Sequence, residues 1–174
     1  MPSMPSLFTA LFIGRFQPFH NGHLLVIQGM TKVCGRIVIG IALSQEPKNA
    51  ENPFTAAERR DMIQRALQAK DLIPTNDIVF IEIPDMPWDD AGWAQKTLEL
   101  CGGPVHQVWT GNESVKKSFD GLCVEIKNIR EVPGISATEV RKRIKEGGDW
   151  KKLVPDEVAA TIQSIDGVER IKTL

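Results

Sequence analysis

The sequence predicts an α/β protein with a doubly wound parallel sheet, on three observations. Apolar runs rich in β-branched residues alternate with segments whose apolar residues recur at helical spacing. The first runs are almost continuously apolar, as strands buried on both faces of a sheet are. The first run also ends in a glycine-bearing polar loop that leads straight into a helix pattern. In open α/β sheets a loop at that place holds the ligand. With 174 residues the chain can bury a sizeable core. Residues 1–6 read as a loose lead-in and residues 7–174 as one domain.

Each element has its own signal. Leu7-Phe8-Thr9-Ala10-Leu11-Phe12-Ile13 is the first strand. Leu24, Val26, Ile27 and Met30 follow at helical spacing, and Gly35 closes that helix. Residues 36–43 form a second strand, and a polar loop covers residues 44–53. Thr55 is an N-cap with Glu58 three residues on, the signature of a capping box, and its helix runs to about Lys70. Residues 77–83 make a third strand, stopped by Pro84. Pro87-Trp88-Asp89-Asp90 opens a helix that reaches Leu100 and ends at Gly102-Gly103. Residues 105–110 are a fourth strand and residues 122–126 a short fifth. Ser136 and Glu139 suggest another capping box at the head of a helix through Lys145. Residues 155–165 read as the last helix. Crossovers between parallel strands are right-handed, so helices are expected on both faces of the sheet.

Composition excludes several classes of function. The net charge is −1, which leaves no overall basic field for a nucleic acid. Basic residues cluster locally instead, as in Arg59-Arg60 and Arg141-Lys142-Arg143, which suits a small polyphosphate better than a long polyanion. No apolar run approaches the ~18 residues of a membrane span. The opening residues lack the positive charge of a secretory leader. Cys34, Cys101 and Cys123 form no C-x-x-C pair, so reduced thiols in a cytoplasmic protein are expected. With only His20, His23 and His106, no transition-metal cluster is indicated.

Gly14-Arg15-Phe16-Gln17-Pro18-Phe19-His20-Asn21-Gly22-His23 is the stretch that carries chemistry. Gly14 allows a turn without a Cβ clash, and Gly22 allows a ligand close to the backbone. The helix that follows points unpaired N–H groups and a partial positive charge into the loop, which favours a phosphate. Arg15, His20 and His23 add side-chain donors. The loop lacks the Gly-Lys-Ser/Thr of a Walker loop and the G-x-G-x-x-G of a dinucleotide fold. The plainer possibility is that both histidines only pack or cap the helix.

His20-Asn21-Gly22-His23 resembles the HxGH signature of the nucleotidyltransferase superfamily. The ten-residue string resembles the nicotinamide mononucleotide (NMN) adenylyltransferases of archaeal type. Two further blocks are similar to the same family. Glu51-Asn52-Pro53-Phe54-Thr55-Ala56-Ala57-Glu58-Arg59 resembles its ENPFTAxER block. Arg59 lies near the carboxyl edge of the sheet, and either reaches the phosphates or pairs on the surface with Glu58 or Glu51. Ile135-Ser136-Ala137-Thr138-Glu139-Val140-Arg141 resembles its ISxTxxR motif. There two hydroxyls stand at a helix N-terminus, with Arg141 on the face of Thr138. Residues 148–155 and 165–170 also resemble the archaeal-type carboxyl terminus.

The resemblance implies a Rossmann-like nucleotidyltransferase fold and the transfer of AMP from MgATP to the 5′-phosphate of NMN, giving NAD and pyrophosphate. It implies His20, His23, Arg15 and Arg141 as catalytic residues. It places Gly14, Phe16, Gly22, Arg59, Ser136, Thr138, Gly111 and Asn112 around ATP and its phosphates. Trp93 corresponds to a tryptophan that stacks on the nicotinamide ring, and Trp88 is a second candidate. Mg²⁺ would be held mainly by ATP phosphates and water, and the assembly would be a homo-oligomer of up to six copies. Phosphopantetheine or flavin mononucleotide as acceptor, a fragment of a class I aminoacyl-tRNA synthetase, and a non-catalytic nucleotide sensor are the alternatives. The acceptor nucleotide is the point at which residues 85–90 depart from the expected pattern.

Overall fold

The computed structural model describes residues 8–45 and 48–174. The expected lead-in, residues 1–6, and the first residue of the expected first strand lie outside the described residues. Five parallel strands form one sheet: β1 Thr9–Gly14, β2 Arg36–Ile41, β3 Asp77–Glu82, β4 Gln107–Thr110 and β5 Glu125–Asn128. Their order is β3-β2-β1-β4-β5. The chain runs outward from β1 to β3, then crosses back and continues on the other side of β1. The order therefore reverses between β1 and β4, where an open sheet leaves a crevice at its carboxyl edge.

Side chains alternate across β1 with a period of two. Ala10 and Phe12 enter one core, and Leu11 and Ile13 enter the other. The first core is filled by helices α1 Asn21–Met30, α2 Ala56–Ala69, α5 Ala137–Glu146, α6 Asp156–Ser164 and α7 Gly167–Thr173, through residues such as Ile27, Met62, Ile144, Ile162 and Ile171. The second core lies under α3 Asp90–Leu100 and α4 Glu113–Ser118, with Ala94 and Phe119 packed on Val38 and Val108. The helices thus cover both faces, as the doubly wound reading requires.

The capping box of α2 is present in full: Thr55 Oγ1 accepts from Glu58 N at 3.2 Å, and Glu58 Oε2 accepts from Thr55 N at 2.9 Å. Other expectations shift. Helix α1 begins at Asn21, inside the loop string, because His20 and not a later residue caps it. Strand β5 starts three residues later than expected. Only half of the second capping box forms: Ser136 Oγ accepts from Glu139 N at 3.1 Å, while the Glu139 carboxylate pairs with Arg143 at 2.8 Å. Residues 155–165 do not form the last helix, since α7 follows. Arg170 on α7 donates through Nη1 to Glu58 Oε2 at 2.8 Å and to the Pro53 carbonyl at 3.1 Å. The carboxyl-terminal helix is thereby fastened to the loop before α2.

Candidate active site

A cavity of about 360 Å³ opens at the β1/β4 crevice, within the range of small-molecule sites. Its walls come from three loops: the one after β1, the one after β4, and the one between β5 and α5. Gly14, Arg15, Gly22, His20 and His23 line one side; Gly111, Asn112, Ser136, Thr138 and Arg141 line the others. Residues far apart in sequence are brought to one place because their elements start or end at the same edge of the sheet.

The two histidines form a reciprocal cap. His23 N donates to His20 Nδ1 at 3.3 Å, and His20 N donates to His23 Nδ1 at 3.2 Å. Their rings stack at 3.6 Å between centroids, 19° from parallel. A Cβ on Gly22 would sit 3.0 Å from the His20 ring, so glycine lets the pair close up. His23 is surrounded by Phe12, Phe16 and Phe19. Burial lowers the His20 pKa to about 4; burial, with His20 alongside, holds His23 well below the usual imidazole range. Both rings are therefore neutral at pH 7. With both Nδ1 atoms accepting backbone N–H groups, the remaining proton is on Nε2. Capping and chemistry do not compete: the cap uses Nδ1 and leaves Nε2–H as a donor.

Arg141 makes one hydrogen bond among the described residues, from Nη1 to the Gln17 carbonyl at 2.7 Å. That contact aims the guanidinium at the first loop and leaves Nε and Nη2 for a ligand. Its pKa is lowered, chiefly by burial and then by Arg15, against Glu51; it stays charged at neutral pH. Arg15 is half exposed and lies 3.7 Å from the exposed Glu51 carboxylate, a weak pair that a phosphate can displace. Ser136 caps α5, and Thr138 is exposed one turn before Arg141. Asn112 lines the cavity, but its Oδ1 caps α4 through Ser114 N and Val115 N. A Cβ on Gly111 would lie 3.0 Å from the Ile129 carbonyl oxygen, so that turn needs glycine for close approach.

Three of the expected contacts do not line this cavity, and a fourth, Phe16, lines it with a buried ring. Arg59 is 1% exposed, and its guanidinium donates to the carbonyls of Thr55, Arg15, Ala42 and Leu43 at 2.7–3.2 Å. It does not line the cavity and, among the described residues, pairs with neither Glu58 nor Glu51; it is a buried strut between the first two loops. Phe16 has a left-handed backbone, φ 51°, and its ring is buried against Phe12 and His23. It lines the cavity while staying 1% exposed. Trp88 is 97% exposed and does not line this cavity. Trp93 is half-buried outside the cavity wall, with Nε1 donating to the Pro84 carbonyl at 3.0 Å and its ring edge-on to Phe119. Phe119 lies one helical turn beyond Val115, which does line the cavity.

Gln17 stands in the loop string, but nothing in the sequence marked its role. It is buried, and its amide pairs with both backbone groups of Phe54 at 2.9 Å. A buried polar residue beside a proline in a polar loop is the one signal it leaves. Arg130, Glu131 and Val132 complete the far wall and carry no motif. Among the described residues no three His, Cys, Asp or Glu side chains converge on a metal position. The cavity's donors are cationic groups, hydroxyls and N–H groups, a set that fits a polyphosphate bringing its own cation.

Residues 11–143 match the Cytidylyltransferase-like family. A nicotinamide-nucleotide adenylyltransferase of Methanococcus aeolicus is 39% identical over 171 residues, covering 95% of this chain and 94% of that one. Another, of Thermococcus kodakarensis, is 38% identical over 166 residues, covering 94% and 87%. In three dimensions the chain is similar to a bifunctional NMN adenylyltransferase/ADP ribose pyrophosphatase of Francisella tularensis, solved with AMP and a manganese ion. The TM-score is 0.76 at 20% identity, over 96% of this chain and 52% of that one. The chain thus spans about half of the bifunctional protein, and this likeness concerns the fold.

Proposed function

We propose the reaction from one premise: the chain belongs to the cytidylyltransferase-like family, among relatives that are nicotinamide-nucleotide adenylyltransferases. It transfers AMP from ATP to the 5′-phosphate of NMN, releasing pyrophosphate and forming NAD. A phosphate oxygen of NMN forms the new bond to the α-phosphorus as the bond to the β-phosphate oxygen breaks. The nucleophile is already largely dianionic at pH 7, its second pKa being about 6. No side-chain base is needed, and the protein's work is positioning and charge stabilisation.

The observation that carries the site assignment is the stacked, neutral histidine pair at the start of a helix, lining one cavity with Arg141. The Nε2–H groups of His20 and His23 donate to the α-phosphate oxygens, where charge grows in the transition state. Arg141 and Arg15, with Ser136, Thr138 and the free N–H groups at the start of α5, hold the β- and γ-phosphates. Gly14, Gly22 and Gly111 let the nucleotide lie against the backbone, and the Phe16 backbone shapes the turn. Mg²⁺, brought in with ATP and held mainly by its phosphates and water, would supply positive charge to the leaving pyrophosphate. NMN lies toward α3, with Trp93 as the nicotinamide platform, supported by its ring contact with Phe119, which follows the cavity-lining Val115 by one turn.

The same reading places the protein in the cytoplasm, in keeping with three unpaired thiols. It takes a homo-oligomer of up to six copies as the assembly. The exposed Phe8 and Val33, which flank one surface depression beside Trp109, support this. Incubation with MgATP and NMN tests the reaction: NAD and pyrophosphate accumulate in equal amounts. Consumption of neither substrate would leave a nucleotide-binding protein without this activity.

A further inference from the structure

The loops at the carboxyl edge of the sheet are stitched together in series. Arg59 ties the Arg15 carbonyl in the first loop to the Ala42 and Leu43 carbonyls after β2. Two residues further on, the side-chain amide of Gln45 acts as a substitute backbone. Its Nε2 donates to the Asp85 carbonyl at 3.0 Å, and its Oε1 accepts from Asp85 N at 2.9 Å. Ser44 N donates to the Ile83 carbonyl at 3.1 Å beside it. An amide that satisfies both backbone groups of one residue fixes that residue in position and orientation. The residue before Asp85 is Pro84, whose carbonyl seats the Trp93 indole at 3.0 Å. The Gln45 clip and the Trp93 seat therefore share one dipeptide.

Gln45 is exposed and lies outside the cavity wall. A surface side chain that grips two backbone groups of a neighbouring loop does little for global stability but sets where that loop stands. We propose that Gln45 is a positioning residue for the acceptor nucleotide. By holding Asp85 it fixes Pro84, and through Pro84 the Trp93 indole, at the separation from the ATP cradle that NMN spans. This rests on the reading of Trp93 as the nicotinamide platform. Misplacement of a substrate by as little as about 1 Å is enough to slow transfer strongly.

The test uses Gln45→Met, which keeps the length of the side chain and removes both hydrogen-bonding groups, alongside Trp93→Ala and the double variant. The KM for NMN rises about two- to tenfold in Gln45→Met, the effect of one or two neutral hydrogen bonds. The KM for ATP and the melting temperature stay at the parent values, which a merely structural role would not produce. In the double variant the effects are less than multiplicative, since Gln45 acts through Trp93. A raised KM for NMN in Trp93→Ala with no change in Gln45→Met overturns the positioning role and leaves the platform standing. Fully multiplicative effects also overturn it, because Gln45 then acts on something else. An unchanged KM for NMN in Trp93→Ala removes the platform, and the inference with it.

Discussion

Two imidazoles stacked at 3.6 Å and enclosed by phenylalanines cannot readily carry charge, and this decides what His20 and His23 can do. They are hydrogen-bond donors, not proton shuttles, near neutral pH. His23→Ala therefore lowers kcat by roughly 10²–10³, the size of one lost transition-state donor. Equal turnover in mutant and parent would take the ring out of the mechanism; a melt alongside separates the loss of the α1 cap. The acidic limb of kcat/KM follows the NMN phosphate near ~6, since His20 titrates at about 4. A thiophosphate analogue of lower pKa moves the limb downward, and an unmoved limb would assign it to the protein. Stability has its own pH dependence. The unfolded histidines titrate near 6.5 and the folded ones lower, so the unfolded chain binds more protons in between. Stability thus falls as pH drops through that window. Arg141 has one nitrogen on the Gln17 carbonyl and others free for oxygen atoms, a division of labour that an ammonium cannot reproduce. Arg141→Lys weakens MgATP binding and transfer together by about 1.5–3 kcal/mol. Normal turnover by that variant would remove the clamp from α5.

At the scale of elements, Arg59 separates what sequence shows from what it hides. Its position in the first turns of α2, near the carboxyl edge, was legible from the capping box. The convergence of the Arg15, Ala42 and Leu43 carbonyls on that spot was not, because it depends on how two loops fold back. Burial lowers its pKa to about 10, partly offset by Glu82, and it stays charged. Arg59→Met leaves three of those carbonyls without their donor and costs about 3 kcal/mol. For a chain of this length that is a fall of roughly 6–12 °C in Tm. The KM for ATP at a temperature where the variant is folded changes far less. A stable variant with a raised KM would restore Arg59 to the phosphates. The short elements were missed for a different reason. Helices α4 and α7 span six and seven residues, too few for a 3.6-residue period to stand out. Asn112, expected only beside ATP, is also the cap that starts α4. A Gly-Asn pair after a strand does not by itself say that a helix follows it.

The whole molecule explains why the phosphate motifs could be read and the surroundings of Trp93 could not. A strand order that reverses between β1 and β4 puts the loop after β1 opposite the one after β4, and the start of α5 closes over both. The phosphate-facing residues lie in short contiguous strings because each string is one loop or one helix start. The proposed nicotinamide side would be assembled otherwise, around Trp93, from Gln45, Pro84 and Phe119 on separate elements with no shared local spacing. The same architecture makes a prediction about the molecule as a unit. A nucleotide in this cavity touches loops from both halves of the sheet, and Arg141 already reaches across 124 positions to the Gln17 carbonyl. Binding there stabilises the native state alone, since the unfolded chain has no crevice. At ATP concentrations of about 100 times Kd the gain is about 2.7 kcal/mol. That raises Tm by roughly 5–11 °C for a chain of this size. Arg141→Ala abolishes most of the shift at the same ATP concentration, because the lost clamp raises Kd. Trp93→Ala leaves it intact, because the platform belongs to the other substrate. An ATP-induced shift that survives Arg141→Ala would move the nucleotide out of the β1/β4 crevice and separate the ISxTxxR string from phosphate binding.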